Sequence, residues 1–324
     1  MLNFDNTRPR SCFFLLATIL TLLLCSCSKP ADKTTIQMAV GGQTQFIYLP
    51  LTLANQLGYF KDEGLTVNIS DLRGGSEALA AMMGGSVDMV TGFYEHTIRA
   101  RAQGKHLVMV TLFDRYPGLA LMVGKQHADQ VHSIKDLVGK PVAFGAKGSG
   151  LVVLSRYVLD GLGLDQDKDF QAVYLEKAGD GPEMVLDGRV AALWGGGVGW
   201  PGFTKLMNSP GGARFIAPSA EEIKTIREKH PFLKEVTMPA GSYPGQDAAV
   251  PSVGSWSFVL AGLDLDNDVA YRIAKALHES EKLLGQKLAQ ARETTLANTV
   301  KAAPAPDYIH PGVLRYLIEN GLMR

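Results

Sequence analysis

The chain has 324 residues, enough for about two domains. Its 32 Lys+Arg balance 32 Asp+Glu, so it lacks the basic excess that marks nucleic-acid binding. With 46% hydrophobic and 20% charged residues, it falls among folded globular proteins rather than disordered ones.

At the N-terminus, Arg8 and Arg10 precede an apolar run over 12–24 (CFFLLATILTLLL). That run is shorter than the roughly 18 residues of a membrane-spanning helix and fits a signal-peptide core. Leu24-Cys25-Ser26-Cys27 follows: an apolar residue, two small ones and a cysteine, the pattern of a bacterial lipobox. Residues 1–26 are expected to be a lipoprotein signal peptide, Cys27 the lipidated residue and 27–35 a tether. Partners would then lie on or outside a membrane. All three cysteines (Cys12, Cys25, Cys27) lie here. The body therefore has no thiol for a disulfide, a zinc site, an iron–sulfur cluster or a nucleophile.

The body alternates short strands with helices, which predicts an α/β fold. Strands are expected at 36–40, 65–70, 87–91, 107–113, 119–123, 141–145, 171–175, 190–194 and 255–261. Pro50 suits the first position of a helix. Ser76 suits the N-cap of a helix over 77–83 that Gly84-Gly85 ends. Leu151, Leu154, Val158 and Leu162 keep helical spacing, as do Val269, Ile273, Ala276, Leu277, Leu284 and Leu288. Leu314, Leu317 and Ile318 mark the last helix. Two stretches read as crossings between lobes: 112–118, which breaks at Pro117-Gly118, and a Pro/Gly/Ser-rich segment within 239–256.

Three places put small residues between a strand and a helix: Gly41 to Gln45, Gly74-Gly75-Ser76, and Gly145 to Gly150. Helix N-termini leave amide donors unpaired, and small residues let a ligand approach them. In α/β sheets the ligand crevice lies at the carboxyl ends of the strands. Together the three places predict a cleft for a small, anionic ligand. Tyr94, Glu95 and His96 follow a strand at the same edge. Trp194 and Trp200 flank a glycine run and read either as core or as a ring wall against the ligand. Lys147 and Arg115 are candidate counter-charges.

Other chemistries fit poorly. Gly197 to Gly202 spells G-x-G-x-x-G, but Pro201 and the setting argue against a nucleotide site, and no P-loop or nucleophile elbow is present. The seven histidines are scattered, are expected at the surface or in caps, and suggest no metal. Asp264, Asp266 and Asp268 lack the Gly and Glu of a calcium loop. No cofactor is indicated.

Four phrases carry a resemblance: PLTLANQLGYFKDEGLTV (50–67), GGSEALAAMMGGSVDMVTG (74–92), DLVGKPVAFGAKGS (136–149) and MVLDGRVAALW (184–194). They are similar to periplasmic substrate-binding proteins of ABC importers for nitrate, taurine, alkanesulfonates and thiamine pyrimidine precursors. From 237 onward the chain resembles TAXI-type receptors of TRAP transporters. Both resemblances imply the type II periplasmic-binding-protein fold: two hinged lobes, each a mixed sheet flanked by helices. Lobe I would comprise 36–115 and about 256–324, and lobe II 116 to about 255.

By position, the resemblance places the ligand against Gly42, Gln43, Thr44 and Gln45, Gly75 and Ser76, Tyr94 and Glu95. Lys147, Ser149, Gly150, Trp194 and Trp200 would face it from the second lobe. It implies a lipid-anchored receptor on the periplasmic side that hands a small organic anion (a sulfonate or carboxylate, aromatic ones included) to an ABC permease and ATPase. A TRAP-type receptor and a receptor for a membrane kinase remain alternatives. A pyrimidine-synthase-like enzyme is disfavoured, because that enzyme carries a cysteine-rich motif and this body has no cysteine.

Overall fold

The computed structural model describes residues 34–324 apart from 44, 116–118, 177 and 197. Twelve strands are described: β1 (Thr35–Gly41), β2 (Thr66–Leu72), β3 (Met89–Phe93), β4 (Leu107–Asp114), β5 (Leu119–Gly124), β6 (Pro141–Ala146), β7 (Gln171–Leu175), β8 (Ala192–Gly196), β9 (Ala213–Ile216), β10 (Lys234–Met238), β11 (Val250–Gly254) and β12 (Ser257–Gly262). Strands β3, β4, β5 and β12 are buried along their whole length. Their apolar runs are continuous rather than alternating, as helices on both sides of a sheet require.

The strands form two five-stranded mixed sheets and one antiparallel pair. The first sheet has the order β2-β1-β3-β12-β4, the second β7-β6-β8-β5-β9, and β10 pairs with β11. In the first sheet β1 runs parallel to β2 and β3, and β12 lies antiparallel between β3 and β4. In the second, β6 is parallel to β7 and β8, and β5 is antiparallel to β8 and β9. The chain leaves the first sheet after Asp114 and returns to it at Ser257. Each sheet has its own apolar packing, one cluster around Met38, Val90 and Leu260 and another around Phe144, Leu154 and Ile226.

The C-terminal third completes the first sheet. Asp266 caps the long helix Asn267–Lys287 by accepting from the Asp268 and Val269 amides. Val269, Ile273, Ala276, Leu277 and Leu284 form its buried stripe. The free edge of β4 is covered rather than exposed. Leu112 N donates to Thr299 Oγ1 at 2.8 Å, Thr294 Oγ1 donates to the Phe113 carbonyl at 2.8 Å, and His310 N donates to the Met109 carbonyl at 2.9 Å. These bonds satisfy an edge that would otherwise template aggregation. Among the described residues no helix is long and apolar enough to cross a membrane.

Several local expectations change. Ser76 is not the cap: Gly74 holds that place and Ser76 lies in the first turn of the helix Gly75–Met83. A Cβ on Gly41 would lie 2.4 Å from Gly75 N, so the helix starts pressed against the end of β1, two residues earlier than a Ser76 cap would set it. Pro50 stands second, not first, in the helix Leu49–Gln56. Strands β9 to β11 were not foreseen. All three are short; β9 and β10 are largely exposed or half-buried, and β11, buried elsewhere, carries the exposed Pro251. The lipobox, including Cys27, lies outside the described residues.

Candidate ligand-binding site

A cavity of about 580 Å³ opens where the carboxyl ends of the two sheets meet. On the first sheet its lining comes from Gly41 and Gly42 after β1, Asp71 to Arg73 at the end of β2, Gly92 and Phe93 in β3, and Asp114 in β4. On the second it comes from Ala146 in β6, Glu176 after β7 and Gly196 in β8. Parallel strands make this geometry, because they end on one edge and send the chain into a turn and a helix there. Gly42 takes φ +96, a left-handed value that frees the β1 turn.

The two edges touch around the cavity. Ser76 N donates to the Gly148 carbonyl at 3.0 Å, and Trp200 Nε1 donates to Gln45 Oε1 at 3.2 Å. A Cβ on Gly150 would lie 2.5 Å from the Phe93 ring. Phe93 belongs to a first-sheet strand yet packs in the second sheet's apolar cluster.

Of the residues singled out in the sequence, Gly42, Gln45, Gly75, Ser149, Gly150 and Trp200 line the cavity. Ser149 also caps the helix Gly150–Gly161, accepting from Val152 N at 3.3 Å. Thr44 lies outside the described residues. The rest are turned elsewhere. Gln43 braces the β1 loop: its amide donates to Asp71 Oδ1 at 2.7 Å and its side chain to Thr52 Oγ1 at 3.2 Å. Ser76 Oγ accepts from Arg99 at 3.1 Å. Tyr94 packs edge-on against Phe258. Lys147 is exposed and does not line the cavity. Trp194 is core and not wall: it is 2% exposed and lies against Phe144. β8 is buried on both faces, and Trp194, paired with Leu121 of β5, packs in the second sheet's apolar cluster. Arg115 is occupied by Glu293 at 2.8 Å and is no counter-charge for a ligand. Glu95 is fully buried and does not line the cavity; its neighbour His96 does.

His96 corrects the expectation that the histidines sit at the surface or in caps. It holds for His310, whose Nδ1 accepts from Gly312 N at 3.2 Å. It fails for His96, which is 0% exposed, with Nδ1 2.7 Å from Glu95 Oε1 and Nε2 3.0 Å from the Gly75 carbonyl oxygen. Asp71, Asp114, Glu176 and Tyr48 also line it and were missed. Three of the four share a signal, a polar residue at or just beyond the end of a strand. Burial pushes the Tyr48 phenol up to about 12, so it stays neutral. Among the described lining residues three carboxylates, Asp71, Asp114 and Glu176, face one guanidinium, Arg73. Arg73 itself pairs with Glu77 at 2.6 Å. Carboxylates thus outnumber guanidinium groups on the wall, which also carries neutral polar groups at Gln45, Tyr48 and Ser149 and is apolar at Ile47, Leu72, Phe93, Leu151, Val198 and Trp200. No group of His, Cys, Asp and Glu among the described residues is arranged to hold a metal.

The NMT1-like family pattern matches residues 56–321. A solved structure from Bordetella bronchiseptica RB50 is 26% identical, with a TM-score of 0.60 over 91% of this chain and 83% of that one. The alkanesulfonate-binding protein SsuA of Xanthomonas axonopodis pv. citri, solved bound to MOPS, is 20% identical with a TM-score of 0.52, covering 89% of this chain and 85% of that one. The periplasmic aliphatic sulphonate binding protein SsuA of Escherichia coli is 20% identical, with a TM-score of 0.50 over 91% and 89%. YtlA of Bacillus subtilis (strain 168) is 25% identical over 158 residues, 48% of this chain and 46% of that relative; the match spans about half its length. The two SsuA proteins share the two-lobed periplasmic-binding-protein fold seen here. With its family pattern running from the first helix to the last, the chain belongs to the NMT1-like family.

Proposed function

We propose that this protein is an extracytoplasmic solute-binding protein that encloses one small organic molecule between its two lobes. The observation that carries this is the cavity at the joined strand ends: about 580 Å³, within the roughly 300–1,000 Å³ of small-molecule sites. Closure would be a hinge motion at the two crossings, one after Asp114 and one before Ser257. Residues 36–115 and about 256–324 would move as one lobe, and 116 to about 255 as the other. The family and the structural neighbours are binding proteins rather than enzymes.

The lining sharpens the ligand. The amide ends of the helices Gly75–Met83 and Gly150–Gly161 favour an anionic head such as a sulfonate or carboxylate. Asp71, Asp114 and Glu176 disfavour a ligand that is anionic throughout and suit an ammonium group. An aminosulfonate or amino acid with an apolar or aromatic body answers both. Cys27 would carry the lipid anchor, and an ABC permease and ATPase would receive the ligand. The family match extends to residue 321 and so includes the part similar to TRAP receptors.

A thermal-shift panel tests this, with taurine, MOPS, ethanesulfonate, aromatic amino acids, nitrate and spermidine. Zwitterions are expected to raise Tm by several degrees, since ligand at 100 times Kd adds about 2.7 kcal/mol. Stabilisation by spermidine alone would overturn the anionic head, and stabilisation by ethanesulfonate as strong as by taurine would overturn the ammonium subsite.

A further inference from the structure

We infer that Glu95 and His96 form a brace that holds one shared proton and fixes the Gly74–Ser76 turn against the opposite lobe, so that capture depends on that proton. This rests on the binding reading above. A carbonyl oxygen only accepts, so the 3.0 Å contact with Gly75 requires a hydrogen on His96 Nε2. The 2.7 Å contact between Nδ1 and Glu95 Oε1 requires a second hydrogen. A neutral imidazole beside an ionised carboxylate has one hydrogen for these two bonds. The pair therefore carries one more, on Nδ1 or on Oε1. Glu95 Oε2 is buried without a hydrogen-bond partner among the described residues, so no donor on its other side holds the carboxylate in its ionised form.

The surroundings are built for the ring. A Cβ on Gly92 would lie 2.4 Å from it and a Cβ on Gly75 3.2 Å. Through Gly75 the ring grips the residue next to the one that crosses the cleft: Ser76 N donates to the Gly148 carbonyl, and a Cβ on Gly74 would meet the Gly148 peptide at 3.0 Å. Neighbouring ionisable groups come from every side. Tyr48 belongs to the 46–48 turn, Arg99 lies one helical turn on and bonds Ser76, and Asp114 ends β4. Asp71 and Arg73 lie at the end of β2, and Glu176 faces them from the second lobe. His96 is the one imidazole among the described lining residues.

Loss of the shared proton leaves a lone pair facing either the carboxylate or the Gly75 carbonyl. One bond fails and the turn loosens. Replacing Glu95 by Gln supplies an amide N–H to Nδ1 and leaves Nε2–H on Gly75, restoring both bonds without the extra proton.

The test combines imidazole NMR with taurine binding at pH 6 and pH 9 in wild type, Glu95→Gln and His96→Ala. Wild type should show a far-downfield, exchange-protected proton resonance that both variants lose. Its taurine affinity should fall tenfold or more from pH 6 to pH 9, E95Q should stay near the wild-type pH 6 value throughout, and H96A should be weak at both. A wild type without the resonance, or E95Q with the wild-type pH profile, overturns the brace. If taurine binds none of the three at either pH, the ligand reading has failed, and the NMR arm alone decides the pair.

Discussion

The two edges that meet at the cavity are built differently. The first-lobe edge is polar and charged: Asp71, Arg73, His96 over Glu95, and Asp114. The second-lobe edge is small and apolar, with Ala146, Gly150, Leu151, Gly196, Val198 and Trp200 around the lone carboxylate Glu176. Such asymmetry separates two tasks. The first edge can hold a ligand's charges in fixed places before closure. The second can then lie flat against it, since each missing Cβ removes a clash, and drive closure by burying apolar surface. Most of the charge is placed on the first edge, with Glu176 alone on the second.

Phe93 gives this comparison its hardest test, because it is an apolar residue on the charged edge. It ends β3, is 8% exposed and packs among second-lobe residues. Truncating Phe93→Ala should cost about 3–5 kcal/mol, the range for buried Phe. If the ring ties the lobes together, part of that loss appears in ligand affinity as well as in urea stability. An F93A protein destabilised in urea with unchanged affinity would mean that the ring only fills a core.

Gly150→Val comes next. The added Cβ would meet the Phe93 ring at 2.5 Å. Overpacking of this kind costs about 1–3 kcal/mol, about 5- to 150-fold in binding. Since the clash exists only where the lobes meet, stability of the ligand-free protein should change less than affinity. Calorimetric titration beside thermal melting separates the two.

The sequence made most of the fold legible for a plain reason: most of the nine expected strands carry apolar runs, and the ends of all nine fell within about two residues of the observed ones. β9 to β11 escaped because they lack such runs. The site was legible in its backbone and less so in its side chains. The strand–glycine–helix pattern located Gly42, Gln45, Gly75, Ser149 and Gly150 on the cavity wall. Which neighbouring side chain faces inward depends on helix rotation and strand pleat, set by packing far from the motif. At Tyr94-Glu95-His96 the third residue faces the cavity and the first two do not. In β8, buried on both faces, Trp194 packs in the core and the rim falls to Gly196 and Trp200. Asp114 closes the run Leu107–Phe113, and a polar residue ending an apolar strand is a signal that could have been used.

The smallest predicted effect tells whether pH acts on capture or on stability at large. Glu281, on the helix Asn267–Lys287, has its carboxyl pushed up to about 7 by burial, against a hydrogen bond from Leu296 N at 2.8 Å that favours the charged form. Its folded pKa lies above its unfolded value, so the native state binds the proton more tightly. Stability from this group is full below about pH 4.5 and is lost as pH rises through about 7. Allowing for partial exposure, that loss is on the order of 1 kcal/mol. Glu281→Gln keeps an acceptor for Leu296 and removes the charge, so the difference in urea midpoint between pH 5 and pH 8 should shrink. Glu281 does not line the cavity. The pH dependence of capture assigned to Glu95 and His96 should therefore survive intact in E281Q, and its disappearance there would move the effect from the charged edge to the protein as a whole.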